Sequence, residues 1–225
     1  SIDLASAARH GVTVCGSSSS AGATAELAWA LIHALTRDIP LEYNRFRQGG
    51  KWQARLGRDL LGKNLGVVGL GNLGARVARV GLAFGMNVSA WSRSLTQGRC
   101  AEIGVSLAPA LDDLLKSSDI VSLHVTLNAQ SRGLMGEREF GLMRPSAYLV
   151  NTSRGPIVDE AALIHALRSG QIAGAGVDVY AEEPLPLEHP FRSLEGLIAT
   201  PHLGYVTEET YRIYYGHAVE NISAW

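Results

Sequence analysis

Leu65-Gly-Val-Val-Gly-Leu-Gly-Asn-Leu-Gly74 is the stretch on which the reading of this chain turns. Leu65 to Val68 is a short apolar run of the kind a buried parallel strand needs. It meets Gly69, Gly71 and Gly74 in the spacing G-x-G-x-x-G, and past it Val77, Val80, Gly81 and Phe84 recur at helical period. Each glycine has a physical role: Gly69 in a tight turn, Gly71 where backbone approaches a pyrophosphate, Gly74 where helix packs closely on strand. Asn72 and Leu73 share that turn, and the helix's first N–H groups face phosphate. Glycine is common here, at 25 residues, so the spacing alone discriminates weakly. The strand before it and the helix after it give it weight.

At 225 residues the chain has length for one large domain, or one and a fraction. With 46% hydrophobic and 18% charged residues it can bury a substantial core. A net charge of -1 gives no electrostatic reason to expect nucleic acid or an anionic membrane as partner. Cys15 and Cys100 are far apart and lack metal-ligand spacing, so free buried thiols in a reducing compartment are expected, and no metal. No apolar run is long enough to cross a bilayer and no signal peptide is recognisable, which makes a cytoplasmic location the expectation. The chain starts at Ser1, without methionine, in a turn leading to a helix over Asp3–His10, as a fragment would.

Val12–Cys15 reads as a short strand. The serine-rich run from residue 17 to Gly22 reads as a solvated loop or as a small-residue loop beside a ligand. Thr24 is placed to cap the next helix, with Glu26 in its first turn, an apolar side of Leu27, Ala28, Leu31, Ile32 and Leu35, and Arg37 at its end before Pro40. Leu41–Gly62 is polar and irregular, with Trp52 exposed: a subunit-contact arm or a packed surface loop. From Leu65 onward, strand-like runs (Leu65–Val68, Asn87–Trp91, Ile120–His124, Ala147–Asn151, Ala175–Val179, Leu197–Thr200) alternate with helical ones (Asn72–Phe84, Ala108–Lys116, Glu137–Met143, Asp159–Ser169). That alternation predicts an α/β fold, a doubly wound parallel sheet of the Rossmann dinucleotide-binding type. Thr207–Trp225 reads as an amphipathic helix whose Tyr211, Tyr214, Tyr215, Val219 and Ile222 serve packing.

Ligands of an open parallel sheet sit outside the carboxyl ends of its strands, which sorts the polar residues. His124, Val125 and Thr126 follow one strand; Thr152, Ser153, Arg154 and Gly155 the next; Asp178, then Glu182 and Glu183, the next; His202 and Gly204 the last. An arginine, a carboxylate and a histidine thus share one edge with the dinucleotide, a set suited to hydride transfer on a 2-oxo acid. Arg154 has a planar fork to grip a carboxylate and polarise a carbonyl. His202 can give a proton to the developing alkoxide, or remove one in reverse. Glu183 favours the protonated ring and holds its orientation. Taken singly, Arg154 also suits a cofactor phosphate, Glu183 a solvated loop and His202 a structural role; the joint placement favours catalysis.

Gly69–Gly74, Asn151-Thr-Ser-Arg-Gly155, Gly176-Val-Asp-Val-Tyr-Ala-Glu-Glu-Pro184 and Thr200-Pro-His-Leu-Gly204 resemble, in order, the signatures of the D-isomer-specific 2-hydroxyacid dehydrogenases. The resemblance implies that Arg154, Glu183 and His202 are the catalytic arginine, glutamate and histidine. It also implies that Asp178 holds the nicotinamide carboxamide and that His124–Val125–Thr126 borders the cofactor. The formate dehydrogenase branch has glutamine where Glu183 stands. By the same resemblance, residues 1–22 are a remnant of a substrate domain, 23–37 a connecting helix, 38–205 the dinucleotide-binding domain and 206–225 a second connecting helix, with pairing into a homodimer. The substrate side of the cleft is then mostly absent, and catalysis by this piece alone is in doubt.

The cofactor reading departs from the usual NAD pattern. An acidic residue about 20 positions past the glycines normally meets the ribose hydroxyls. Between Leu73 and Ala101 there is none; Trp91, Ser92 and Arg93 stand there instead. A hydroxyl and a guanidinium suit a 2′-phosphate, so NADP is expected over NAD, the alternative being that Arg93 stacks on adenine and either cofactor serves. The reading is an NAD(P)-dependent oxidoreductase of small 2-oxo and D-2-hydroxy acids. The alternatives are a dinucleotide-sensing, corepressor-like interaction protein on the same fold, and a bare cofactor module served by a separate chain.

Overall fold

The computed structural model describes residues 2–18, 20 and 22–225. Part of the serine-rich loop, residues 19 and 21, therefore lies outside the described residues. Seven strands form one sheet: β1 (Asn64–Val68), β2 (Asn87–Trp91), β3 (Ser106–Leu107), β4 (Ile120–Leu123), β5 (Tyr148–Asn151), β6 (Gly174–Val177) and β7 (Leu197–Ala199), in the order β3-β2-β1-β4-β5-β6-β7. Every pair is parallel, and the register aligns the carboxyl ends: Val68 lies opposite both Trp91 and Leu123, Leu123 opposite Asn151, Asn151 opposite Val177 and Val177 opposite Ala199. Parallel strands with both faces covered have to be apolar throughout, and β4 and β6 are buried at every position.

The helices are α1 (Leu4–Arg9), α2 (Ala23–Thr36), α3 (Ile39–Arg47), α4 (Asn72–Ala83), α5 (Gln97–Ile103), α6 (Leu111–Ser117), α7 (Glu137–Leu142), α8 (Glu160–Arg168) and α9 (Glu208–Ala224). One face of the sheet carries α2 and α4, with Trp29, Ile32, Leu65 and Val77 in its core. The other carries α6, α7 and α8, with Leu114, Phe140, Leu149 and Leu163. Trp29 spans the junction of α2 with α4, its Nε1 donating to Val77 O at 3.3 Å.

Several local expectations are corrected. Val12–Cys15 is not a strand, because what runs beside it is a helix. Trp225 Nε1 donates to Thr13 Oγ1 at 3.1 Å and Asn221 Nδ2 to Gly16 O at 3.1 Å. Cys100 is buried, but Cys15 on that segment is exposed. Thr24 does not cap α2, whose N-cap is Gly22; lying inside the first turn, its hydroxyl donates to Gly204 O at 2.9 Å. Leu41–Gly62 is not irregular throughout, since α3 occupies its first part with Pro40 in the first turn. None of the residues of α3 is buried, so the helix carries no apolar period. Two short elements, α5 and β3, lie outside the expected ones; Thr96 caps α5 and Gly104 ends it with φ +83°. The aromatic side of α9 packs only in part: Tyr211 and Tyr214 lie against Tyr205, whereas Tyr215, Val219 and Ile222 are 69%, 64% and 76% exposed. Trp52 is exposed, as expected.

Candidate active site

The turn after β1 is shaped by contacts that exclude a side chain. Gly69 has φ +98°, and a Cβ there would lie 2.8 Å from the His124 carbonyl. A Cβ on Gly74 would fall 1.9 Å from Gly69 O. Gly71 differs, since a Cβ there would meet nothing within 4 Å. Open space therefore lies where a pyrophosphate would rest against backbone, and Asn72 and Leu73 begin α4 behind it. A cavity of about 470 Å³ continues from this turn, lined by Gly69, Gly71, Trp91, Ser92, Arg93, His124, Val125 and Thr126. Arg99, Asn128 and Gln130 also line it, and sequence reasoning missed them because α5 and the 128–130 turn carry no core period. Arg93 donates from Nη2 to the Gln130 carbonyl across that cavity. Burial pushes the His124 imidazole down to about 4, and its Nε2 lies 2.8 Å from Ser122 Oγ, so the ring is neutral at physiological pH.

After β5, Asn151 organises the loop: its Oδ1 accepts from Ser153 N at 3.0 Å and its Nδ2 donates to Arg154 O at 3.0 Å. Ser153 Oγ donates to Val125 O at 2.5 Å, joining this loop to the one after β4. Arg154 is exposed, with Nη1 donating to Ser153 O at 2.6 Å. Thr152 is buried, and among the described residues its Oγ1 has no hydrogen-bond partner. An orphaned hydroxyl at the end of β5, on the same edge of the sheet as the glycine turn, fits a bound polar group, and with the open space at Gly71 it makes the site suited to a dinucleotide.

Gly155 brings the arginine loop against the loop after β6. A Cβ on it would lie 1.9 Å from the Tyr180 carbonyl carbon, so the two backbones touch. Along that second loop, Glu183 Oε1 accepts from Tyr180 N at 2.9 Å, and Glu183 Oε2 meets His202 Nδ1 at 2.6 Å. Both side chains are 35% exposed. Burial pushes the Glu183 carboxyl up, but the hydrogen bonds from His202 and Tyr180 N–H, with the His202 and Arg154 charges, outweigh it and hold the group below its ordinary value. With Nδ1 committed, His202 presents Nε2 as its free nitrogen. Tyr205 packs edge-on to the ring, centroids 5.6 Å apart.

Asp178 is buried and both its oxygens are engaged by the turn that carries His202. Oδ1 accepts from Thr200 Oγ1 at 2.6 Å and Leu203 N at 2.7 Å, and Oδ2 accepts from Gly204 N at 2.8 Å. Tyr180 Oη donates to Thr200 O at 2.7 Å; burial, then the Asp178 and Glu183 charges, push this phenol up to about 12, so it remains a donor. A larger cavity, about 1230 Å³, opens by the amino ends of β5, β6 and β7, lined by Tyr148, Ile172 and Leu197. It faces away from the edge that collects these groups.

A parallel sheet with a glycine turn at its crossover and convergent polar loops at its carboxyl ends defines a Rossmann-type NAD(P)-binding oxidoreductase fold. Residues 29–204 match the family described as D-isomer specific 2-hydroxyacid dehydrogenase, NAD binding domain. The chain belongs to that family, whose members move hydride between NAD(P) and 2-oxo or 2-hydroxy acids. Among its relatives, the glyoxylate reductase of Aeropyrum pernix is 41% identical over all of this chain and 69% of its own length. That of Korarchaeum cryptofilum is 39% identical over 93% of this chain and 64% of its own length. The crystal structure of a putative D-3-phosphoglycerate dehydrogenase oxidoreductase from Ralstonia solanacearum superposes with a TM-score of 0.93 at 37% identity, over 98% of this chain and 68% of that one. The chain thus spans about two thirds of the length of these relatives.

Proposed function

We propose that this chain carries the cofactor side and the proton-transferring groups of an enzyme that interconverts a small 2-oxo acid and its D-2-hydroxy acid using NADP(H). The observation that carries the reading is the 2.6 Å bond between His202 Nδ1 and Glu183 Oε2, at the sheet edge that holds the glycine turn. The bound cofactor supplies or accepts the hydride. Arg154 binds the substrate carboxylate with its guanidinium fork and polarises the adjacent carbonyl. His202 Nε2 gives its proton to the carbonyl oxygen in reduction and takes it back in oxidation. Glu183 holds the ring for that transfer and balances its charge. Glyoxylate, the substrate in the names of the two relatives, is the first to try.

The test is loss of NADPH absorbance with glyoxylate, pyruvate and hydroxypyruvate, using the protein that carries this sequence. Turnover of at least one is expected. Tight cofactor binding with no turnover of any 2-oxo acid would reject the proposal and favour a sensing role.

The NADP preference is supported by a cavity that has Arg93 and Ser92 in its wall and no carboxylate. Asp178, Thr152, Ser153 and Gly204 are proposed to meet the nicotinamide end. A homodimer is proposed through α3 and the residues after it, supported by Phe46, Trp52 and Leu56, which are 65%, 73% and 97% exposed. A cofactor body over 38–205 flanked by α2 and α9 as connecting helices, in a reducing cytoplasmic setting suited to free thiols, completes the proposal.

A further inference from the structure

We propose that Arg99 is a second guanidinium reading the 2′-phosphate of NADP, and so a specificity-determining residue of this site; the inference rests on the NADP reading above. Arg99 sits on α5, outside every motif that marks the fold, yet its side chain reaches the glycine turn. Its Nε approaches Leu70 O at 3.4 Å, between Gly69 and Gly71. Its backbone is fixed by the cap of α5, where Thr96 Oγ1 accepts from Arg99 N at 3.2 Å. Glu102 holds Nη1 at 2.6 Å, and Nη2 has no partner among the described residues.

The surroundings point to an anion. Arg99 and Arg93 line the same cavity, together with Ser92 and Ser94, and none of its lining residues is acidic. Arg99 also borders a second hollow that Arg76 and Arg79 share on α4. Guanidinium groups lining common space repel one another unless an anion lies between them, and among the described residues Glu102, itself 66% exposed, is the one carboxylate paired with Arg99. Arg93 is partly committed, through Nη2, to the Gln130 carbonyl. Arg99 keeps Nη2 free among the described residues and so adds a second cation to Arg93 at the end of β2, where a ribose 2′-substituent would emerge. A phosphate there takes charge-assisted contacts from both guanidinium groups that a bare hydroxyl cannot match.

Equilibrium binding of NADPH and NADH tests this, with 2′,5′-ADP and 5′-ADP as smaller probes, on wild type, Arg99→Ala, Arg99→Glu and Arg99→Lys. Arg99→Ala should raise the Kd for NADPH and 2′,5′-ADP roughly tenfold or more, leaving NADH and 5′-ADP within about twofold. Arg99→Glu should lose more, and Arg99→Lys should retain part of the discrimination. An unchanged NADPH-to-NADH ratio in Arg99→Ala, in a wild type that prefers NADPH, overturns this inference alone. Equal weakening of both cofactors also overturns it, since that marks support of the Leu70 carbonyl and not phosphate recognition. A wild type that binds NADH more tightly overturns the NADP reading and this inference with it.

Discussion

His202 has a left-handed backbone, φ +54° and ψ +50°, a conformation that costs a non-glycine residue free energy and needs outside support. Asp178 provides it by accepting the Leu203 and Gly204 N–H groups that follow. Asp178→Asn replaces one acceptor oxygen with a donor facing those N–H groups, so the turn should loosen. The expected result is a fall in kcat of roughly tenfold or more with the fold retained; wild-type kcat in a folded variant contradicts it. Charges around the site also set a pH dependence. His124 is held neutral, its pKa pushed down to about 4, whereas the unfolded chain protonates it near 6.5. The folded state binds fewer protons in that window, so stability falls as pH drops from about 6.5 toward 4, by roughly 3 kcal/mol. His124→Gln should flatten that slope in urea titrations at several pH values, and an unaltered slope would show the cost lies elsewhere. Glu183, with its pKa lowered, contributes stability above the ordinary carboxylate range and loses it only as pH falls through the depressed value. At this scale Glu183 and His202 were legible because strand ends put them on one edge. Thr152's orphaned hydroxyl and Arg99 were not, since burial and reach belong to three dimensions.

Elements meet here through glycines of unequal importance. At Gly155 a methyl group would strike the Tyr180 backbone at 1.9 Å, whereas at Gly81 the nearest atom is Leu65 Cδ2 at 2.7 Å, the end of a side chain that can move. Gly155→Ala should therefore cost roughly 3 kcal/mol or more and separate the arginine loop from the Glu183 loop, and Gly81→Ala about 1 kcal/mol. Urea unfolding of the two variants checks the ranking; equal midpoints would contradict it. Regular elements with a buried face, such as β1, β2, β4 and α4, were readable to within a residue or two because burial imposes period on sequence. The exposed α3 and the two-residue β3 have no such imprint, and α9 has a stripe that the chain itself leaves partly uncovered.

For the whole molecule, the parallel register is what turns scattered motifs into one site. Five loops, after β1, β4, β5, β6 and β7, open at the same edge because their strands end level. Pairing through α3 is checked by sedimentation: a dimer is expected, and Trp52→Asp with Phe46→Asp should shift it to monomer. A wild-type monomer would remove that part of the proposal. The central claim is proton transfer by His202 at this edge. It is tested most directly by comparing wild type and His202→Asn in the protein carrying this sequence, for glyoxylate reduction and for NADPH binding on the same samples. The variant should bind NADPH within about twofold of wild type and lose roughly 10²- to 10⁴-fold in kcat. Turnover by His202→Asn at the wild-type rate would contradict the account.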